Sequence, residues 1–240
     1  MTHSIVKLVG YLVIYFVCLG AYGSVTQIAL LHSDVSLNYS QPERFSTILE
    51  DAYKSTSTQI YPLGIALISP HKQPLVEQRK AAIFNALDSL NTSESLNLKT
   101  QLKNLIFQYR ETIDTNITKV KELKQFNPML EGSYQLYLPT RPDKVLLIDS
   151  QFESSIPIKI VPNFSLRDYL LTDNTLRNYK KVWLIQADKT AYLATNILWK
   201  NTAYFLSPGA IIYKPLQKLP KKYKYLNEEI VDLLTFRLDL

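Results

Sequence analysis

The chain has 240 residues, 46% of them hydrophobic and 20% charged, with a net charge of +6, which suits one large domain or two small ones with a true core. One Cys, two Met and three His argue against thiolate or multi-histidine metal centres, and six Gly argue against glycine-rich phosphate loops. No metal and no cofactor are expected, and no residue is singled out as catalytic.

Residues 1–23 read MTHSIVKLVGYLVIYFVCLGAYG. Lys7 precedes an apolar run from Leu8 to Leu19, and Ala21 and Gly23 put small residues just before Ser24. This pattern predicts a secretory signal peptide cleaved before Ser24. The run is shorter than the about 20 apolar residues of a membrane span. An uncleaved anchor is the alternative; the aromatic residues before Cys18 fit a lipidation site poorly. Cleavage removes Cys18, the one cysteine, so the mature chain forms no disulfide. An exported domain without disulfides suits a Gram-negative periplasm, and export argues against a nucleic-acid partner.

Val25–Leu31 and Val35–Asn38 read as two strands around His32-Ser33-Asp34. Phe45, Ile48, Leu49 and Ala52 then recur at helical spacing after Pro42. Ile60–Ile68 is apolar but broken by Pro62 and Gly64, which predicts a short strand or extended loop. From 74 to 109, two apolar stripes flank Asn91-Thr92-Ser93: Val76, Ile83, Leu87 and Leu90, then Leu98, Leu102, Leu105, Ile106 and Tyr109. They predict a helical hairpin, with Ser93 as the cap of its second helix. A Thr- and Lys-rich stretch, Thr112 to Lys124, follows, and then a strand over Gly132–Leu138.

From Asp143 the pattern restarts. Strands are expected over Val145–Ile148 and Ser155–Val161, a Ser165-capped helix to Leu171, a hairpin over Val182–Gln186 and Thr190–Thr195, and a last strand over Ala210–Tyr213. Both halves open with two strands and a helix, which suggests two similar α+β units in tandem, the first carrying the helical hairpin. The expected boundaries are 24–142, with the insertion at about 74–109, then 143–216, then a terminal helix over 217–240. In that tail Leu226, Ile230, Leu233 and Leu234 share one helical face.

Several stretches agree in order with one family: Tyr61-Pro62-Leu63-Gly64, Asn127-Pro128-Met129-Leu130-Glu131-Gly132-Ser133-Tyr134, Val182-Trp183-Leu184-Ile185, Ile197-Leu198-Trp199-Lys200, Ser207-Pro208-Gly209-Ala210, and Leu219 through Arg237. By these the chain resembles the capsule-biosynthesis GfcC family, periplasmic proteins encoded with group-four capsule and related exopolysaccharide genes. The resemblance implies an α+β fold of two tandem β-grasp domains (SLBB-like), a helical hairpin inserted in the first, and a C-terminal amphipathic helix. It also implies a non-catalytic accessory role in polysaccharide assembly or export. The partners would be export and assembly proteins or the polysaccharide itself. A periplasmic enzyme that modifies or transfers glycan, with its cleft around Arg110, is the alternative.

Arg110 is the candidate ligand-binding residue, since the family tends to carry an arginine just after the second inserted helix. Its guanidinium fork suits carboxylate or phosphate; equally, an ion pair with Glu111, Asp114 or Glu131 would tie the insertion down. Lys214, Lys218, Lys221, Lys222 and Lys224 form a run with no acid. Together with Leu226, Ile230, Leu233 and Leu234 they are the candidate surface for a partner or for peripheral membrane contact. Packing of the apolar face on the chain's own domain is the other reading. Trp183 and Trp199 lie in apolar runs and are expected in the core. His32 and His71 lack a Ser/Asp or Cys partner pattern and read as solvated loop residues.

Overall fold

The computed structural model describes residues 26–172, 179–199 and 203–238; the signal peptide expected over residues 1–23 lies outside them. The architecture is mixed α+β. The first part runs β1 (Thr26–Leu30), β2 (Ser36–Tyr39), β3 (Glu43–Arg44), α1 (Phe45–Lys54), β4 (Ala66–Ile68), α2 (Gln73–Leu90), α3 (Ser93–Lys103), α4 (Ile117–Glu122), β5 (Met129–Leu130) and β6 (Ser133–Tyr137). The second runs β7 (Lys144–Asp149), β8 (Ile156–Lys159), α5 (Leu166–Thr172), β9 (Lys181–Ile185), β10 (Ala191–Thr195), β11 (Ile211–Lys214) and α6 (Leu226–Leu234).

The first sheet has the order β2-β1-β6-β4 and the second β8-β7-β11-β9-β10. In each, the opening strand pairs antiparallel with the next strand and parallel with the last. The order of four strands is thus common to both sheets, and the second adds β10 at its edge. A third, two-stranded ribbon joins β3 to β5.

Local sequence explains the ends of the inserted hairpin. Asn91 closes α2 at φ 46°, a left-handed position that Asn tolerates better than most residues. Thr92, one residue before the expected Ser93, caps α3: its hydroxyl accepts from Ser95 N–H, while Ser95 Oγ accepts from Thr92 N–H. The second helix stops at Lys103, short of the predicted Tyr109. From Ile106 to Glu111 the chain is extended instead, because its backbone finds partners on both sides. Tyr109 C=O accepts from Ser69 N–H at 3.0 Å, and Glu111 N–H donates to Leu67 C=O at 2.7 Å, which ties the segment to the edge of β4. Gln108 N–H donates to Phe236 C=O, and Ile106 C=O accepts from Leu238 N–H, both at 3.0 Å.

The hairpin leaves its own sheet and covers the second one. β7 is buried along almost its whole length, so it reads as a continuous apolar run. Val145 and Leu147 face a core shared with Leu166 and Leu170 of α5. Leu146 and Ile148 face the opposite core, with Ile185, Ile211 and Tyr213, under Ile83 and Leu87 of α2, Leu98 and Leu102 of α3, and α6. The first sheet packs separately against Phe45, Ile48, Leu49 and Ala52 of α1.

The apolar face of the tail is therefore internal. Leu226, Ile230, Leu233 and Leu234 are buried in the core that α6 shares with the inserted hairpin. This corrects the reading of those four residues as a free partner or membrane surface: without them one face of the second sheet would stand in water. Trp199 is also corrected. It is 71% exposed, since Ile197 takes the core position in the turn after β10. Trp183 packs, partly buried, beside the inserted hairpin.

Ile230→Ala should lower the free energy of unfolding by about 2–5 kcal/mol, as large-to-small core changes do. Chemical denaturation should show this as a lower midpoint with an unchanged slope. Deleting residues 219–240 should abolish the cooperative transition.

Candidate functional site

Where the two halves meet, a cleft is walled by Tyr61, Gly64, Tyr137 and Pro139 from the first part and by Ala187, Gly209 and Arg237 from the second, with Arg110 between them. Its enclosed volume is about 40 Å³, room for the head of an anion with the rest of a ligand outside. Arg110 also borders a larger recess of about 340 Å³, shared with Glu111, Asp114, Asn116, Lys119, Asp188 and Lys189.

The extended segment after α3 fixes Arg110. Arg110 sits opposite Ile68 of β4 and its neighbour Phe107 sits opposite Arg237. Its side chain is 7% exposed. Nη2 donates to Ala187 C=O at 3.1 Å and Nη1 to Arg237 C=O at 3.4 Å. Nε is buried and has no acceptor among the described residues. Burial pulls the guanidinium down to about 10, with Asp188 and Tyr137 acting the other way.

The expected ion pair is absent among the described residues, and the acids nearby are committed elsewhere. Glu111 accepts from Lys72 Nζ at 2.6 Å and from Ser69 Oγ at 2.5 Å, and Asp114 pairs with Lys119 at 3.2 Å. Glu131 is exposed. Burial raises the Glu111 carboxyl, but the Lys72 and Ser69 hydrogen bonds outweigh it and hold the group below its usual range. At neutral pH Glu111 is therefore a carboxylate and no proton donor.

Two further cations complete the site, and neither stood out in the sequence. Arg237 is 8% exposed and its Nη2 donates to Gly209 C=O at 2.6 Å. Gly209 holds φ 83°, a conformation costly for residues with a Cβ, which turns that carbonyl inward. The sequence signal was an arginine set between Phe236 and Leu238 at the end of an apolar helix. Lys189 stands in the β9–β10 turn at φ 74° and donates from Nζ to Arg110 C=O at 2.8 Å. Burial, and then repulsion from Arg110, lowers its ammonium to about 8.

Gly64 owes its identity to close approach. A Cβ there would lie 2.7 Å from Pro139 Cγ, inside contact distance, while Tyr61 N–H donates to Pro139 C=O at 2.7 Å. Buried guanidiniums ordinarily pair with acids. Here Arg110 leans on carbonyl dipoles and lines one cavity with Arg237, an arrangement suited to a carboxylate, sulfate or phosphate oxygen.

Residues 154–239 match the family described as Capsule biosynthesis GfcC C-terminal. By this region, about a third of the chain, the protein is similar to the GfcC family. No curated protein matches it. The matched region supplies Arg237 and the Pro208-Gly209 turn to the cleft and Lys189 to the recess beside it, and Arg110 reaches both from outside the matched stretch. The match points to a capsule biosynthesis-related protein.

The lysine run divides in two within the GfcC region. Lys214 is withdrawn from the candidate surface: its Nζ pairs with buried Asp149 at 3.2 Å and lies 4.5 Å from the Tyr179 ring centroid. Lys218, Lys221, Lys222 and Lys224 remain exposed. His32 and His71 make edge contacts with Tyr137 and Tyr134.

The Lys189 ammonium should titrate with a midpoint near 8, read by NMR of the methylated lysine. In Arg110→Gln the midpoint should rise, because the repelling charge is gone. The linkage sign is fixed by a folded value below the unfolded one of about 10.4. Between those values the unfolded chain binds more protons. Lys189 therefore adds stability as pH rises through that window, and Lys189→Met should remove this increment from the pH–stability curve.

Proposed function

We propose that the protein is a non-catalytic periplasmic accessory component of capsule or exopolysaccharide biosynthesis or export. It binds through the Arg110–Arg237 cleft an acidic group of the polysaccharide or of an export partner. The observation that carries this reading is the pair of buried guanidiniums in one small cavity with no carboxylate within ion-pair distance of Arg110. Arg110 gains most from an incoming anion, because its desolvation is already spent on folding. The recess beside it, lined by Asn116, Asp188 and Lys189, has acceptors and donors for sugar hydroxyls.

The shared strand order, with first and last strands parallel at the centre of each sheet, supports two tandem β-grasp units of SLBB-like type. They meet near residue 142, and the cleft lies on that junction. The amino-terminal pattern supports export by a cleaved signal peptide into a Gram-negative periplasm.

A second reading, a glycan-modifying enzyme, draws on Glu111, Asp114 and Asp188, which line the recess with Arg110. The engagement of Glu111 by Lys72 and Ser69 counts against it as a general acid. Release of reducing ends from acidic polysaccharide by the purified protein would replace the accessory reading with this one.

Glucuronate should raise the melting temperature by several degrees when in large excess over its Kd, whereas glucose should not. Arg237→Gln should remove the shift, each variant being measured against its own ligand-free baseline. Equal shifts with glucose, or an undiminished shift in Arg237→Gln, would overturn the proposal. In the host, a deletion strain should retain less polymer at its surface.

A further inference from the structure

The structure parts the amphipathic tail into a buried apolar face and an exposed basic turn, and the turn is built to stay in one place. Lys218 takes φ 53°, and Lys221–Tyr223 form a single 3-10 turn before α6. Asn227 clasps this loop from the first turn of α6. Its Oδ1 accepts from Leu216 N–H at 2.8 Å and from Tyr213 Oη at 2.7 Å, and its Nδ2 donates to Leu216 C=O at 3.0 Å. Leu219 and Tyr223 pack beside the same core as the helices.

Four ammonium groups are displayed on this fixed support. Lys218, Lys221, Lys222 and Lys224 are exposed, and among the described residues none pairs with a carboxylate. The nearest acids in sequence, Glu228 and Glu229, begin α6 beyond the turn. Lys222 Nζ lies 5.0 Å from the Tyr223 ring centroid and Lys224 Nζ 4.5 Å from that of Tyr225. Tyr225 itself is 60% exposed.

We infer that residues 218–225 are a peripheral docking face for an anionic lipid surface. Charge complementarity selects the partner class. Lysines are mobile point charges that match a plane of phosphate headgroups, whereas the arginine forks that read single carboxylates are placed inside the cleft. An exposed tyrosine beside them has the amphipathic ring found where protein meets the headgroup layer. Contact is electrostatic and without insertion, because the apolar face of α6 is committed to the core. Among the described residues no helix is long and apolar enough to cross a membrane.

The test is co-sedimentation of protein recovered from the extracytoplasmic fraction with mixed phosphatidylglycerol–phosphatidylcholine vesicles. Pure phosphatidylcholine vesicles serve as the comparison. Binding is expected only to the anionic vesicles, and it should weaken as salt rises. Each lysine near such a surface contributes about fivefold in partitioning, so the combined variant K218Q, K221Q, K222Q, K224Q should lose roughly a hundredfold or more. Its melting temperature should change little, since these side chains are exposed and touch only the rings of Tyr223 and Tyr225. Arg110→Gln should bind vesicles like the wild type, which separates this face from the cleft. Equal binding to both vesicle types, an undiminished quadruple variant, or retention on an acidic polysaccharide with none on vesicles would overturn the inference.

Discussion

The extended segment from Ile106 to Glu111 has to satisfy backbone groups on both of its edges, and the rest of the molecule is arranged around that requirement. Tyr109 and Glu111 bond to β4, while Ile106 and Gln108 bond to the strand-like tail at Phe236 and Leu238. The Gln73 side chain takes the groups left between them, donating to Phe107 C=O at 3.0 Å and accepting from Tyr109 N–H at 3.0 Å. Lys189 takes the Arg110 carbonyl. An unsatisfied buried backbone group costs about as much as a lost hydrogen bond. The segment therefore cannot leave β4 or the tail cheaply, and through it the edge of the first sheet, the inserted hairpin and the end of α6 hold one another. Arg110 lies at the centre of this strap, so its position is set by backbone pairing and not by a salt bridge.

That arrangement explains how Arg110 can be buried with no carboxylate paired to it among the described residues. The guanidiniums of Arg110 and Arg237 rest on carbonyl oxygens of Ala187, Arg237 and Gly209, each a partial charge fixed by a turn or by the strap. Carbonyl dipoles offset part of the desolvation of a cation but carry no net charge. The lowering of both Arg110 and Lys189 by burial is the sign of what is left uncompensated. For Arg110, stability alone would be better served by a carboxylate partner or an apolar replacement, which is the physical ground for the binding role proposed for it.

Much of the architecture was visible in the sequence because period-two and helical patterns are local. The strands of both halves, the two-helix insertion and the terminal helix fall within a few residues of where alternation and stripes put them. What was hidden depended on distant partners. Leu105, Ile106 and Tyr109 continue a helical stripe, yet the chain is extended there because β4 and the tail supply ladder bonds from far along the sequence. The destination of α2 and α3, the second sheet rather than their own, has no local signature either. Arg110 was legible through a family pattern, but its neighbours Arg237 and Lys189 were not. They come from the end of the chain and from a hairpin turn, and only folding gathers them. Trp199 misled because an apolar run gives no sign of which member a turn will expel.

The tail shows how one pattern can serve two ends. An apolar stripe beside a basic run reads, on its own, as a helix that lies on a membrane. In the folded protein the stripe closes the exposed face of the second sheet, and the hairpin inserted from the first half could not cover that face alone. Burial therefore decides the apolar half, since exposing Leu226, Ile230, Leu233 and Leu234 would cost several kcal/mol at the about 25 cal/mol per Å² of apolar surface returned to water. Nothing comparable draws the lysines inward, with the exception of Lys214, which found Asp149 and the Tyr179 ring. Any attachment through this region is then weak, reversible and salt-sensitive by construction. The cleft at the far end of α6 can meet its ligand without the helix leaving the core.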